Sequence, residues 1–292
     1  PHAPHLAVTA DPWPGDVAVY DAAEDAGYSL NGLVGVASTV GVTLNAVARA
    51  PSGLMDYATL IEVALTSGSL FSVSEAGLLG GANLAAIGTG DPDGWEIIQF
   101  RTAELTGLGV WRLTGLLRGQ FGTDALVPDI LSTGAFFVLL DGTARQIPLA
   151  SSLRGQARHY RIGPADKPFD HAAYRHEVQA FAGLGLRPYS PVHLRAYKSA
   201  GDVSVSWIRR ARLDADSWDL TEIPLGEDRQ AYTLRVLVEG AVVRSVDLTA
   251  PGWVYTAAMQ ADDGVAGTVD IEVAQVSDRF GEGPVSRVKV FV

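Results

Sequence analysis

The feature that most constrains the fold is a short-period alternation of apolar and polar residues. Residues 203–208 read VSVSWI, in which Val203, Val205 and Trp207 alternate with Ser204 and Ser206. Successive side chains of a strand point to opposite faces, so this pattern is typical of a strand with one buried face. The alternation recurs in three later runs, at 234–238, 269–273 and 285–292.

Turn residues separate these runs. Glu239-Gly240, Asp262-Asp263-Gly264 and the segment 280–284 (FGEGP) supply glycine for a positive φ or proline for a fixed one. Short strands with evenly spaced turns predict a β-sandwich from about residue 188 to the end. Trp207 is expected in the centre of its core.

The first half is also predicted to be mainly β. The runs 95–101 (WEIIQFR) and 110–113 (VWRL) are joined through Gly107 and Gly109, a pattern that indicates a long hairpin. Residues 135–140 (AFFVLL) are almost continuously hydrophobic. We therefore expect that strand to be covered on both faces.

One helix is predicted over His171–Phe181, because Asp170 can cap its first turn and the glycines at 183 and 185 can end it. The expected fold class is all-β with one or two short helices. The expected domains are a β-rich domain at 1–165, a helix or linker at 166–187 and the β-sandwich at 188–292.

Composition narrows the classes of protein. The chain has 292 residues, of which 47% are hydrophobic, and no cysteine, which excludes disulfides, thiolate metal sites and cysteine nucleophiles. No run approaches the ~18 apolar residues of a spanning helix, so no transmembrane segment is expected. The chain begins PHAPHLAV without a basic or apolar leader, and we expect it to be processed or cut from a longer polypeptide.

The net charge of −11 is unevenly distributed. Residues 1–144 carry 4 basic and 15 acidic groups, residues 145–212 carry 12 and 4, and residues 213–292 carry 6 and 14. A basic middle segment could meet nucleic acid or an anionic partner, but pairing with the acidic flanks or a neighbouring subunit is favoured. The acidity of the whole chain argues against a dedicated nucleic-acid site.

Histidine and aspartate spacings point away from metal binding. His171 and His176 lie five residues apart, a spacing that does not place two imidazoles on one helical face. Asp91 and Asp93 resemble the start of a calcium loop, but the downstream glutamate is missing and Pro-Asp-Gly already indicates a turn. We expect no metal and no cofactor.

Catalytic patterns are equally weak. Glu96, Glu104 and Asp124 could be imagined as members of a glycosidase pair, but such a pair is defined by a separation in space that spacing does not reveal. No phosphate-binding loop and no nucleophile elbow is present in the sequence. The segment is therefore expected not to be an enzyme.

A resemblance to a known family is carried by five segments of the chain: PHLAVTADPWPGDVAVY (4–20), LLGGANLAAIG (78–88), GWEIIQFRTAEL (94–105), WRLTGLLRGQFGTD (111–124) and RRARLDADSWDLTEIPLGED (209–228). In this order they resemble the C-terminal part of the large tail-tip protein of gene transfer agents and related siphovirus-like phages. The resemblance implies a hub-type β domain and a structural baseplate component. This component would link the tail tube to host-contacting parts during attachment and DNA delivery.

The family also implies partners and a location. Its members form a homotrimer at the tail tip of the virion or phage-like particle, with other tail-tip and baseplate proteins, tail fibres and the host cell envelope as partners. Family polypeptides are longer and carry an upstream glycosidase-like barrel that this chain lacks, so no activity is carried over. Upstream chain could complete the domain at 1–165.

The last hundred residues resemble a fibronectin type III module. Trp207 lies at the usual place of the strand-B tryptophan, and residues 277–286 (SDRFGEGPVS) look like the F–G hairpin. Such modules often carry a tyrosine near the start of strand F, where this chain has Val-Asp-Ile at 269–271. A tyrosine-corner hydrogen bond is therefore not expected.

The stretch TGLLRGQFGTD (114–124) is interpreted as a structural turn. Gly115, Gly119 and Gly122 allow sharp reversals, and such a turn leaves carbonyl groups that no strand pairing satisfies. The guanidinium of Arg118 offers five donors in a rigid fork for these carbonyls or for a carboxylate. The alternative is that Arg118 contacts a partner subunit.

A second candidate interface combines three arginines with an aromatic residue. Arg209, Arg210 and Arg212 precede a run of acidic residues that contains Trp218, which could anchor a contact between subunits or domains. A solvated loop with local ion pairs is the alternative.

Two other functions stay open at this point. The chain could be a module that binds cell-surface glycans, for which Trp13, Tyr28 and Trp253 are the only candidate aromatic residues. It could also be the non-catalytic part of a peptidoglycan-degrading tail protein.

Overall fold

The computed structural model describes residues 3–213, 215 and 222–292. It is nearly all β and divides into two compact units, residues 1–185 and residues 186–292. None of its described helices is long and apolar enough to cross a membrane.

The first unit contains fifteen strands and one short α-helix among its described residues. The strands are β1 (His5–Leu6), β2 (Val17–Ala22), β3 (Ser29–Val34), β4 (Val40–Thr43), β5 (Val47–Ala48), β6 (Met55–Asp56), β7 (Ile61–Ser67), β8 (Leu84–Gly88), β9 (Trp95–Gly107), β10 (Val110–Leu117), β11 (Ile130–Leu131), β12 (Phe136–Leu139), β13 (Arg145–Gln146), β14 (Ala157–Pro164) and β15 (Arg175–Ala180). Helix α1 is Glu75–Leu79, capped by the Ser74 hydroxyl, which accepts from the Gly77 amide. Short 3₁₀ turns occupy Gln120–Ala125, Ser151–Leu153 and Leu184–Leu186.

Six of these strands close into an antiparallel barrel. The order of hydrogen-bonded neighbours is β10, β7, β4, β12, β8 and β9, and the long β9–β10 hairpin closes the ring. β6 pairs with the end of β10 beside β7. Closure satisfies the backbone groups that an open sheet would leave at its edges. The hairpin predicted through Gly107 and Gly109 is confirmed.

The barrel interior is filled by alternate residues of its strands. Ile98 and Phe100 of β9 and Phe137 of β12 are fully buried. The sequence prediction that the run at 135–140 is covered on both faces is wrong, because Phe136 is 51% exposed. In a closed barrel one face of each strand points outward, and Phe136 lies on that face of β12.

A four-stranded antiparallel sheet, in the order β15-β14-β2-β3, forms the other main part of this unit. It corrects the helix predicted over His171–Phe181, since Arg175–Ala180 is a strand that pairs with β14 from Ala157 to Ile162. The β14 backbone supplies hydrogen bonds across the whole segment, and this tertiary pairing outweighs the capping and stop signals. The predicted linker at 166–187 therefore contains a strand of the first unit.

The second unit contains eight strands and one short helix among its described residues. They are β16 (Val192–Ser199), β17 (Asp202–Ile208), β18 (Tyr232–Val238), β19 (Ala241–Leu248), β20 (Gly252–Tyr255), α2 (Ala257–Asp262), β21 (Thr268–Ser277), β22 (Gly281–Glu282) and β23 (Ser286–Phe291). One sheet has the order β16-β17-β20, and the other has β19-β18-β21 with β22 and β23 both paired to β21.

The core of this unit lies between its two sheets. Val203, Val205 and Trp207 of β17 face Leu234 and Val236 of β18 in one buried cluster. Ser204 and Ser206 point outward, as the alternation at 203–208 predicts. The strands predicted within 203–208, 234–238, 269–273 and 285–292 are confirmed.

Candidate functional site

The candidate site is centred on a buried arginine, Arg118, just beyond the end of β10. Arg118 is 1% exposed and Glu96 of β9 is 3% exposed. The Nε and Nη2 atoms of Arg118 donate to the two carboxylate oxygens of Glu96, each at 2.7 Å. Its Nη1 atom donates to the carbonyl oxygen of Ala48 at 3.1 Å. The guanidinium therefore joins β5, β9 and the chain that leaves β10.

A second hydrogen bond connects Glu96 with the turn itself. The backbone amide of Gly119 donates to Glu96 Oε1 at 3.0 Å, so one carboxylate orients both Arg118 and the residue after it. The carboxylate of Asp56 lies 3.7 Å from Arg118 Nη1. Burial raises the pKa of Asp56, but hydrogen bonds from Thr59 and Ala58 and the charge of Arg118 lower it. These lowering effects together outweigh burial, so the pKa lies below its ordinary value.

The turn after Arg118 has a left-handed backbone at several positions. Gly119, Phe121 and Gly122 have φ values of 57°, 54° and 78°, and Gly115 has 64°. A Cβ atom on Gly119 would lie 2.7 Å from the Cα atom of Asp124, so the close approach requires glycine. Phe121 is 67% exposed in this strained conformation. Of the predicted turn residues, Arg118, Gly119 and Gly122 lie at this turn, whereas Gly115 lies within β10, because that strand continues to Leu117. The sequence did not single out Phe121.

The carboxylates considered for glycosidase chemistry are placed differently from one another. Glu96 is buried and both of its oxygens bind Arg118, which leaves its carboxylate without access to a substrate. Glu104 is exposed on β9, opposite Arg112 of β10. Asp124 lies in the 3₁₀ turn Gln120–Ala125.

The aspartates compared with a calcium loop lie in a turn. Asp91 and Asp93 belong to the connection between β8 and β9, where the Gly94 amide donates to the Asp91 carbonyl at 2.9 Å.

The basic middle segment pairs with acidic residues of the first unit. Arg158 of β14 binds Asp21 of β2 through Nε at 2.7 Å and also through Nη2. Arg161 binds Asp25 through Nη2 at 2.8 Å. These pairs support the interpretation in which the basic segment meets the acidic flank of the same chain.

A cluster of titratable side chains surrounds Asp25. His159 of β14 and His176 of β15 approach to 3.0 Å between Nδ1 and Nε2, with ring centroids 5.2 Å apart and planes inclined by 12°. His176 Nε2 lies 3.9 Å from Asp25 Oδ1. Within the described residues, these three form the one group of His, Cys, Asp or Glu whose ligand atoms could hold a metal ion.

Tyr28 and Arg161 hold the carboxylate of this cluster. Tyr28 donates its hydroxyl to Asp25 Oδ1 at 2.5 Å, and Arg161 donates to the same oxygen. The hydrogen bonds from Tyr28 and then Arg161 lower the pKa of Asp25 to about 2. His171, which the predicted helix would place five residues before His176, lies outside the cluster.

The arginines predicted as an interface bind groups of their own unit. Arg209 donates to the carbonyl oxygens of Ile223 and Pro224. Arg210 donates to the Ser190 carbonyl at 2.9 Å, and Arg212 donates to Glu227 at 3.1 Å. Trp218 lies outside the described residues. The interface interpretation stays a prediction.

The aromatic residues considered for glycan binding are partly packed. Trp13 lies against the core of the four-stranded sheet, and Trp253 stacks on Tyr255 with centroids 5.3 Å apart. Trp207 is buried in the sandwich core and meets Tyr232 edge to face at 5.1 Å, in the central position that the sequence predicts.

Two solved structures that match the chain are distant from it in sequence. The extracellular domains d3–d4 of rat CD45 are 11% identical, with 51% of this chain and 70% of that chain covered and a TM-score of 0.27. The spore cortex lytic enzyme SleM of Clostridium perfringens is 10% identical, with 57% and 35% covered and a TM-score of 0.24. No curated protein matches the chain.

A protein-family model matches the middle of the first unit. Residues 38–138, about a third of the chain, match the model described as "Rcc01698-like, C-terminal". The name of this family is associated with gene transfer agents. The matched segment runs from just before β4 to within β12 and therefore includes Glu96, Arg118 and the turn after it. This part of the chain is similar to the C-terminal region of a gene-transfer-agent-related protein.

Proposed function

We propose that the chain is a structural component of the tail tip or baseplate of a phage-like particle. It links the tail tube to host-contacting parts during attachment and DNA delivery. Its partners in this role are further copies of itself in a homotrimer, neighbouring tail-tip and baseplate proteins, tail fibres and the host cell envelope. The chain itself performs no catalysis in this proposal.

The observation that carries the proposal is the coincidence of the family match with one structural element. The matched residues, 38–138, have nearly the same bounds as the six-stranded barrel, whose strands run from Val40 to Leu139. The match therefore covers almost the whole barrel with its closing hairpin, which is one part of the first unit. A closed barrel leaves no unpaired edge between its strands, and such a domain suits a protein that must stay rigid within an assembly.

The second unit supports a role as an outer module. Its sheets contain β16-β17-β20 on one side and β19-β18-β21-β23 on the other, an order consistent with a fibronectin type III-like sandwich. The connection from Ser277 to Ser286 joins β21 to β23, where the F–G hairpin of such a module is expected. Small sandwiches of this type serve as spacers and contact modules on many surface proteins.

Immunogold electron microscopy tests the location. Antibodies raised against residues 186–292 are applied to intact particles from producing cells, and serum pre-adsorbed with the same unit serves as the control. Gold confined to the tail end distal to the capsid is the expected result. Label that is absent from intact and opened particles, with the protein free in the lysate, contradicts the proposal.

The non-enzymatic part of the proposal has a separate assay. The purified chain is incubated with peptidoglycan, and released reducing sugar is measured beside a lysozyme control. No release above the buffer blank is expected. Release that one carboxylate substitution abolishes would favour the peptidoglycan-degrading alternative, and the exposed Glu104 is the first position to change.

A further inference from the structure

The cluster of His159, His176 and Asp25 brings together ligand atoms from three parts of the four-stranded sheet. β14 and β15 pair so that His159 lies opposite Val178 and Arg161 lies opposite His176. His159 and His176 are thus diagonal neighbours on one face, since residues two apart on a strand share a face. Asp25 belongs to the connection between β2 and β3 and closes the group from the side.

The distances suit a small tetrahedral ion. Zinc binds histidine nitrogen and carboxylate oxygen at about 2.0–2.2 Å, so ligand atoms around one tetrahedral ion lie roughly 3.3 Å from one another. The two ring nitrogens here are 3.0 Å apart, and His176 Nε2 is 3.9 Å from Asp25 Oδ1. These values lie on either side of the spacing that the ion requires. The ligand atoms of all three residues lie within 4.8 Å of one another, so modest side-chain movements would bring them to that spacing.

The contact between the two imidazoles requires a proton or a metal ion between the facing nitrogens. Each ring nitrogen either carries a proton or presents a lone pair, and two lone pairs that face each other at 3.0 Å repel. One shared proton removes this repulsion, and a metal ion bound to both nitrogens removes it as well. A bound ion would therefore take the place of the proton that lies between the two nitrogens.

The carboxylate is already oriented for such a role. Tyr28 and Arg161 both donate to Oδ1 of Asp25, and partners of this kind fix the direction of a ligating group. Arg161 also offsets the negative charge of Asp25, so the imidazoles provide most of the attraction for a cation. Imidazole-rich sites select ions of the zinc, copper and nickel class over calcium and magnesium.

From these contacts we propose that His159, His176 and Asp25 form a surface site for one divalent transition-metal ion of the zinc class. Water completes the coordination, as in other sites with three protein ligands. The site goes beyond the structural role of the chain and differs from the sequence-based expectation of no metal. It lies in the four-stranded sheet, apart from the residues that match the family model.

Isothermal titration of the 292-residue chain with ZnCl₂ tests the site, and the same titration with CaCl₂ tests its selectivity. One zinc ion per chain and no measurable calcium binding are expected. His159→Gln and His176→Gln should each weaken zinc binding more than about tenfold, and Asp25→Asn should weaken it less. His171→Gln is the matched control, because His171 is a histidine of the same unit outside the cluster, and it should bind zinc like the parent chain.

Folding and coordination are followed by independent signals. Circular dichroism and the melting temperature show whether each variant is folded, and the visible absorption of added Co²⁺ reports tetrahedral nitrogen coordination in the parent chain. Loss of the Co²⁺ bands in folded His159→Gln supports the proposal. Zinc binding that persists in the folded double variant His159→Gln/His176→Gln, or no zinc binding by the parent chain, would overturn it.

Discussion

Arg118 and Glu96 form a bidentate ion pair inside the first unit, with both N–O distances at 2.7 Å and both side chains at least 97% buried. Two charges removed from water are stabilised only when their hydrogen bonds are well directed. The same carboxylate also accepts from the Gly119 amide, so the pair sets the path of the chain beyond β10. The ion pair therefore fixes the exposed turn to strand β9 of the barrel.

Replacement of Arg118 by lysine is expected to destabilise the first unit by about 2–3 kcal/mol. A lysine ammonium keeps the charge but cannot donate to both oxygens of Glu96 and to Ala48 in the same planar geometry, and a hydrogen bond to a charged group contributes about 1.5–3 kcal/mol. Differential scanning calorimetry measures the change as a shift of one of the transitions of the chain.

Arg112→Lys is the matched control for this change. Arg112 binds Glu62 at 3.2 Å, but the two side chains are 42% and 33% exposed. Solvent screens such a pair, and its replacement should cost no more than about 1 kcal/mol. An unchanged melting temperature in Arg118→Lys would refute the structural role and return attention to a contact with a partner subunit.

A double-mutant cycle separates the pair from its surroundings. Arg118→Met and Glu96→Leu each leave a buried charge without its partner, which should cost about 3–5 kcal/mol. The double variant removes both charges and should be less destabilised than the sum of the single variants by more than about 1.5 kcal/mol. Urea unfolding measures the three values. Simple additivity would show that the two side chains do not act as a pair.

Gly119 provides a prediction about the turn itself. Gly119→Ala places a Cβ atom 2.7 Å from the Asp124 Cα in a left-handed backbone, so a cost above about 2 kcal/mol is expected. Gly134 is the control, since its φ is 87° and no atom lies within 4 Å of an added Cβ. Gly134→Ala should cost only the backbone term of about 1 kcal/mol. Equal losses in urea unfolding would show that the close approach does not matter.

Much of the fold follows from the strand pattern, because alternation and turn residues are local properties. The strand at 203–208 and the β9–β10 hairpin could be predicted in this way, together with the buried place of Trp207. Closure of the barrel could not be predicted, since it depends on pairings between strands far apart in sequence. The exposure of Phe136 depends on that closure.

The histidine cluster shows how one wrong element hides a site. Asp170 and the glycines at 183 and 185 are residues that often begin and end a helix. Residues 175–180 nevertheless form a strand, because they pair with β14. Helical spacing compares His176 with His171, whereas strand pairing brings it to His159, seventeen residues away. A strand interpretation of both segments would place the two imidazoles on one face.

The second unit offers a test that depends on pH. Arg244 donates to both oxygens of Asp263 at 2.7 and 2.8 Å, and Tyr255 donates to Oδ2 at 2.6 Å. The hydrogen bonds from Arg244 lower the pKa of Asp263 below its ordinary value of 3.8, so the ionised carboxylate stabilises the fold above that pH. This stability is lost as the pH falls from the ordinary value through the lower pKa of the folded protein.

Asp263→Asn should therefore lower the free energy of unfolding near neutral pH, because an amide offers one acceptor oxygen and turns its NH₂ group toward Arg244. The difference from the parent chain should shrink as the pH falls below about 4, where the unfolded parent takes up the proton first. Urea unfolding at about pH 7, 5, 4 and 3 gives the two curves, with Asp262→Asn at the exposed neighbouring position of α2 as the control. If the difference between Asp263→Asn and the parent stays constant over this range, Asp263 does not stabilise the sandwich as a charged group, and its role is confined to packing beside Tyr255.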